Sequence, residues 1–69
     1  RQKPPELTPR QLAVLAMIGQ GLSNKLIAAK LEIAESTIKM HITAIFKALG
    51  VSNRTQAAII AKETRLFES

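Results

Sequence analysis

The 69-residue sequence contains no cysteine, no tryptophan and no tyrosine, and its aromatic residues are two phenylalanines. Without cysteine, neither a disulfide nor a thiolate zinc site can stabilise so small a domain. Aromatic residues are enriched in β-strands, so their shortage also argues against a strand-rich domain. No apolar run approaches the ~20 residues of a membrane-spanning helix, and there is no signal-peptide pattern. These absences predict a single small domain whose stability comes from helix packing, in keeping with its many Ala, Leu and Ile residues.

Basic residues outnumber acidic ones by ten to five, which gives a net charge of +5. Such an excess points to a polyanionic partner, with nucleic acid first and an anionic membrane surface second. Many small domains are basic merely for solubility, so the charge alone does not decide. We expect an intracellular protein, and because the chain begins with Arg rather than Met, we expect a fragment of a longer one.

The first predicted helix spans residues 8–19 and has a dense start signal. Thr8 can cap it, Pro9 fits the first helical position, and Gln11 completes a capping box. Leu7 and Leu12 are spaced for a hydrophobic staple across this start. Gly19 and Gly21 end the helix. Residues 1–6, with two adjacent prolines, are interpreted as the remnant of a linker.

Three further helices are predicted, at about residues 23–31, 35–49 and 53–63. Ser23 caps the second helix, and a short turn at residues 32–34 leads into the third. Gly50 ends the third helix in a left-handed conformation. Asn53 and Gln56 resemble a capping box at the fourth, and residues 65–69 form a tail. The fold class is therefore all-α, a four-helix domain over residues 7–64 that contains a helix-turn-helix.

The third predicted helix has two faces of different chemistry. At about 100° per residue, its apolar side chains form one core stripe, which comprises Ile38, Ile42, Ile45, Phe46 and Leu49. The opposite face carries Ser36, Lys39, Met40, Thr43 and Lys47. A solvated face is the ordinary interpretation, but an apolar Met among cations, with no acidic residue, also suits the DNA major groove.

The starts of the second and third helices offer a second signal. Free backbone N–H groups and the positive end of the helix dipole bind phosphates, especially beside hydroxyl groups. The residues that could contact a phosphate at these two helix starts are Ser23, Asn24, Lys25, Ser36 and Thr37. Ordinary capping is the alternative, and Ser23 can do both.

His41, the one histidine, lies on the flank between the two faces of the third helix. No cysteine or second histidine accompanies it, which excludes a zinc site of the usual kind. No nucleophile with an orienting carboxylate accompanies it either, so a general-base role is not supported. A packing or local hydrogen-bonding role and a phosphate contact both remain open. We expect no enzyme, no metal and no cofactor.

Several stretches together resemble the LuxR/FixJ/NarL-type DNA-binding domain, with matching order and spacing over residues 7 to about 62. They are LTPR (7–10), GLSNK (21–25), IA (27–28), STIK (36–39) with His41, and LGVSNRTQAA (49–58). The resemblance implies a cytoplasmic bacterial transcription regulator whose third helix enters the major groove of double-stranded DNA. It also implies a separate N-terminal receiver or sensory domain, most similar to the response-regulator branch of two-component systems. Quorum-sensing regulators share the module, and RNA polymerase is a candidate partner.

Carried over residue by residue, the resemblance assigns three groups of residues. The base-reading positions are Lys39, Met40 and Thr43. Phosphate contacts fall on Ser23, Asn24, Lys25, Ser36 and Thr37, with Lys47 and Arg54 added. Family members pair through the fourth helix, where Thr55, Ala58, Ile59 and Lys62 are predicted to face away from core residues Ala57, Ile60 and Ala61. Such a strip suits a weak two-fold homodimer contact, although alanine content in a stable helix explains it equally well.

Three positions depart from the family pattern. Gln11 replaces the more usual Glu, which keeps the capping box and removes a charge. Ala34 stands where a capping Ser or Thr is common, so the third helix should begin less stably by roughly 1 kcal/mol. Thr43 is shorter than the long polar residue of some relatives, which changes the expected base preference.

Two other functions are weighed against DNA reading. A protein-interaction module could use the same fold through the fourth helix and the Met40 face. A membrane-surface role is less favoured, because the cations do not flank one strongly apolar helix face.

Overall fold

The computed structural model describes residues 7–64, which form four α-helices and no strand. Helix α1 spans Pro9–Gly19, α2 spans Asn24–Leu31, α3 spans Glu35–Leu49 and α4 spans Arg54–Thr64. The all-α helix-turn-helix prediction is confirmed, and each helix bound lies within one residue of its prediction. The predicted linker remnant at residues 1–6 and the tail at residues 65–69 lie outside the described residues. None of the four helices is long and apolar enough to cross a bilayer.

Side-chain caps begin three of the helices. The predicted capping box of α1 is present: the Gln11 N–H donates to Thr8 Oγ1 over 3.1 Å, and the Thr8 N–H donates to Gln11 Oε1 over 3.0 Å. At α4, the Gln56 N–H donates to Asn53 Oδ1 as predicted, over 2.9 Å. Gln56 Oε1, however, accepts from the Ser52 N–H over 3.0 Å rather than from Asn53. The reciprocal half of this box therefore lies one residue earlier than the sequence pattern indicated.

The ends of α1, α2 and α3 share one backbone motif. Each helix is followed within two residues by a residue with positive φ, namely Gly21 at 87°, Glu32 at 59° and Gly50 at 72°. The next residue then donates its N–H to a carbonyl five positions back: Leu22 to Met17, Ile33 to Ala28 and Val51 to Phe46. This is the Schellman motif. Leu22, Ile33 and Val51 all pack against the core, so every connection contributes an apolar side chain.

The core lies between α1 and the other helices. α1 packs against both α3 and α4, and α2 packs against α3. The large aliphatic side chains that are fully buried in the core come from α1, α2 and α3, and include Leu15, Ile27, Ile38 and Ile45. α4 contributes only small ones, Ala57 and Ala61, both 0% exposed. Small side chains let two helices approach closely, which explains the extensive packing of α4 on α1.

Candidate nucleic-acid interface

The core fixes the rotation of α3 and thereby defines its outer face. Ile38, Ile42 and Ile45 are buried on one side of the helix. The residues predicted for the opposite side, Ser36, Lys39, Met40, Thr43 and Lys47, are all exposed. Met40 is 70% exposed, the largest value among the exposed large apolar side chains of the described residues. The outer face of α3 is therefore a free surface that carries two cations, two hydroxyls and one large apolar side chain.

Thr43 has only part of its polar chemistry free. Its hydroxyl donates to the backbone carbonyl of Lys39, one turn earlier, over 3.0 Å. Serine and threonine commonly bond backward in this way inside helices. With its proton engaged, Thr43 can offer a base edge its methyl group or a lone pair of its hydroxyl oxygen. A methyl contact with a thymine methyl is the apolar form of major-groove reading.

The start of α2 presents several donors in one place. Ser23 Oγ accepts from the Leu26 N–H over 3.2 Å, which caps the helix and leaves the hydroxyl proton free for another acceptor. The first N–H groups of any helix lack partners within it. Lys25 is exposed beside them, and Asn24 is half-buried. Hydroxyl, backbone N–H and ammonium groups together suit a phosphate.

The start of α3 is polar but lacks a side-chain cap. Ala34 occupies the capping position with φ −65° and ψ 147°, and no side chain there accepts a hydrogen bond from the helix. Ser36 is exposed and Thr37 is half-buried on the first turn. Glu35 is exposed there too. Its negative charge interacts favourably with the positive end of the helix dipole but repels a phosphate. The sequence pattern did not indicate this repulsion.

Arg54 is placed differently from the other predicted phosphate contacts. Its Nη1 donates to Asn24 Oδ1 over 2.7 Å, and its Nη2 donates to the carbonyl of Leu22 over 2.6 Å. Both bonds are partly buried and join the start of α4 to the start of α2. The partners are 30 and 32 residues away. No local sequence pattern could have revealed this bridge.

Two further residues of α3 have the exposure that the helical period predicts. Lys47 lies exposed in the last turn, where a cation is favoured by the helix dipole. His41 is half-buried between the core and the outer face.

The outward strip of α4 is narrower than predicted. Thr55, Ile59 and Lys62 are exposed, and Ile59 is 50% exposed. Ala58, in contrast, is half-buried and packs against the core, so the prediction that it faces away from the core is wrong. It lies one position from fully buried Ala57, at the edge of the core stripe of α4.

Comparison with known proteins gives one family and many relatives. The family model described as bacterial regulatory proteins, luxR family, matches residues 5–61. The chain is 42% identical over 62 residues to the nitrate/nitrite response regulator protein NarL of Escherichia coli K12. It is 54% identical over 54 residues to the transcriptional regulatory protein LnrK of Bacillus subtilis, and 47% identical over 60 residues to LiaR of the same organism. These alignments cover 90%, 78% and 87% of the chain, but only 29%, 24% and 28% of the relatives.

Proposed function

We propose that this chain, which belongs to the luxR family of bacterial regulatory proteins, reads specific sequences of double-stranded DNA by placing α3 in the major groove. Family membership supports DNA-binding transcription regulation in general. The assignment of base reading to Lys39, Met40 and Thr43 is our proposal. It follows from their shared exposed face, opposite the buried isoleucines of α3.

The observation that carries this proposal is the exposure of Met40 between Lys39 and Thr43. A side chain that is 70% exposed leaves much apolar area in water. In a major groove the same atoms would meet thymine methyl groups, while Lys39 could donate to guanine acceptors. On a face that was only solvated, methionine would contribute helix propensity but would bury none of its apolar area.

Phosphate contacts would come from the residues around the outer face of α3. Ser23, Asn24 and Lys25 supply them from the start of α2, Ser36 and Thr37 from the start of α3, and Lys47 from its last turn. Such contacts fix the position of a protein on the duplex without reading its sequence. They also make the affinity fall steeply as salt is added, by about 0.9 in log affinity per neutralised phosphate for each log unit of salt.

The partners of the chain are proposed from its relatives. The chain spans less than a third of the length of NarL, LnrK and LiaR. We therefore assign it the effector part of a longer response regulator in the bacterial cytoplasm, with a receiver domain on its N-terminal side. Two copies would pair through the outward residues of α4 on adjacent half-sites, and RNA polymerase would be a further partner of the bound complex.

Selection of bound sequences from a random duplex pool tests DNA reading directly. We expect one enriched half-site motif. On that motif, Lys39→Ala should weaken binding by about 1–3 kcal/mol, with a much smaller loss on random duplex, since a base contact serves only the matching sequence. Fluorescence anisotropy on both duplexes measures this difference.

Lys30→Ala is the matched control, because it removes the same charge from an exposed position in the last turn of α2, to which no contact with DNA or with a second copy is assigned. It should have the same small effect on selected and random duplexes. If Lys39→Ala weakens binding to both duplexes equally, Lys39 contacts a phosphate instead of a base. No enriched motif, together with unmoved amide resonances over residues 36–47 on adding duplex, would favour a protein-interaction module.

A further inference from the structure

The guanidinium of Arg54, at the beginning of α4, makes two hydrogen bonds to the beginning of α2. One of its nitrogens bonds Asn24 Oδ1 and the other bonds the Leu22 carbonyl, at 2.7 and 2.6 Å. Charged donors make the shorter and stronger hydrogen bonds in proteins. With two acceptors on a planar, rigid group, the guanidinium is held in one orientation. The bridge thus fixes the residues on either side of Ser23.

Hydrogen-bond chemistry then determines how the Asn24 amide is turned. Arginine has only donors, whereas an asparagine amide has one acceptor oxygen and one donor nitrogen. The oxygen of Asn24 must therefore face Arg54, and its NH2 group must face away from the guanidinium. Asn24 is the first residue of α2 and lies between exposed Ser23 and Lys25. Its NH2 group is held among the donors proposed to contact a phosphate.

Helix dipoles disfavour a cation at this place. Arg54 is the first residue of α4, and its guanidinium reaches the first residue of α2, so its charge lies near two positive helix ends. A cation near a helix N-terminus is unfavourable, which offsets part of what the two hydrogen bonds contribute to folding. The same positive potential attracts an anion. A phosphate bound at this end of α2 would therefore relieve an unfavourable arrangement of charge.

We infer that Arg54 is a positioning residue that turns the Asn24 amide toward a DNA phosphate, and that it does not itself supply the phosphate contact. This inference rests on the proposed DNA binding. It replaces the direct contact that the family resemblance implies for Arg54. Arg54 acts through its fork of two donors, so its charge alone is not sufficient.

A double-mutant cycle with Arg54→Lys and Asn24→Ala tests the coupling. Both substitutions keep the net charge, so long-range attraction to DNA is unchanged. Each should weaken binding to a 24-base-pair duplex of random sequence by roughly fivefold, the worth of one hydrogen bond. The double variant should lose no more than Asn24→Ala alone. Fluorescence anisotropy gives the affinities, and circular dichroism verifies that each variant is folded at the measuring temperature.

A spectroscopic readout separates positioning from simple stabilisation. In the wild-type chain, the Asn24 Nδ2H2 resonances should shift on adding the duplex, and in Arg54→Lys this shift should be lost while the backbone spectrum remains that of a folded domain. Arg10→Lys, the same change at an exposed arginine of α1, should leave both affinity and shift unaltered.

The contrary results are equally specific. Additive losses in the cycle, or full affinity in Arg54→Lys, would overturn the positioning role while leaving DNA binding intact. If the wild-type chain does not bind duplex DNA at all, the proposed function fails, and the inference fails with it.

Discussion

Glu32 has a backbone conformation that suits glycine. Among the described residues it is the one non-glycine with positive φ, at 59°, and it takes the position that Gly21 and Gly50 take at the other Schellman ends. A left-handed L-residue costs roughly 1–2 kcal/mol. Its carboxylate also lies at the negative end of α2, which is unfavourable. The helix-turn-helix connection is thus a locally unfavourable place in the domain.

Glu32→Gly should therefore raise the free energy of unfolding, by about 0.5–1 kcal/mol once the greater freedom of glycine in the unfolded chain is included. Glu32 is exposed, so the substitution removes no packing. Urea denaturation followed by circular dichroism measures the change. Glu32→Gln is the control, because it removes the charge and keeps the left-handed residue, and its gain should be only a few tenths of a kcal/mol. Equal gains from both variants would assign the effect to charge instead of backbone strain.

For single residues, the sequence predicted which side chains are exposed better than it predicted their hydrogen-bond partners. Exposure of Lys39, Met40 and Thr43 followed from helical period, because the isoleucines opposite them had to be buried. The bridge from Arg54 did not follow, because its acceptors lie 30 and 32 residues away. Ala58 was misplaced because a small residue at the edge of a stripe can be covered or exposed, depending on how closely the next helix approaches.

The start of α3 differs from the starts of the other helices. The side chains of Thr8, Ser23 and Asn53 each accept a hydrogen bond from the first turn of their helices, whereas Ala34 has no side-chain acceptor. Its extended backbone is nonetheless that of a capping residue, with φ −65° and ψ 147°. The backbone is therefore ready for a side-chain cap that the sequence does not supply.

Ala34→Ser should stabilise the domain by about 1 kcal/mol, since a serine in this conformation can accept from the N–H of the second or third helical residue. Thermal and urea unfolding measure the gain. Ala44→Ser makes the same change at an exposed interior position of α3, where serine is mildly unfavourable, so that variant should be no more stable than wild type. A gain of equal size in both variants would mean that capping is not the cause.

Helix bounds were predictable because start and stop signals are local. Thr8 with Gln11, Ser23, and the glycines at 21 and 50 act within five residues of chain, a distance that a sequence pattern can show. Glu32 carried no such signal, although the second helix was predicted to end before it, at residue 31. The hydrogen bond from the Ser52 N–H to Gln56 Oε1 was not predicted, because a long glutamine side chain can reach either of two neighbouring N–H groups.

At the scale of the whole molecule, the proposed pairing of two copies would use the outward strip on α4. Its exposed residues, Thr55, Ile59 and Lys62, offer a small apolar area around Ile59. A two-fold contact uses each residue twice, but so small an area suits pairing on DNA better than a stable free dimer. Pairing would then appear as cooperative binding to two half-sites.

Ile59→Ser should reduce that cooperativity by roughly fivefold, because less apolar area is buried between the two copies. Binding to one isolated half-site should not change. Titration of duplexes with one and two half-sites measures both quantities. Leu26→Ser is the matched control, since Leu26 is similarly exposed, at 54% against 50%, but lies on α2. Unaltered cooperativity in Ile59→Ser would exclude this face of α4 from pairing.

The three Schellman ends have a consequence for how such a chain can evolve. In each connection the residue after the helix end, Leu22, Ile33 or Val51, packs into the core. An added residue would move that apolar side chain out of its place and change the entry of the next helix. The connections therefore resist insertion and deletion, unlike most surface loops. If α3 reads DNA as proposed, new binding preferences would arise mainly by substitution on its exposed face, with the length of the chain between helices unchanged.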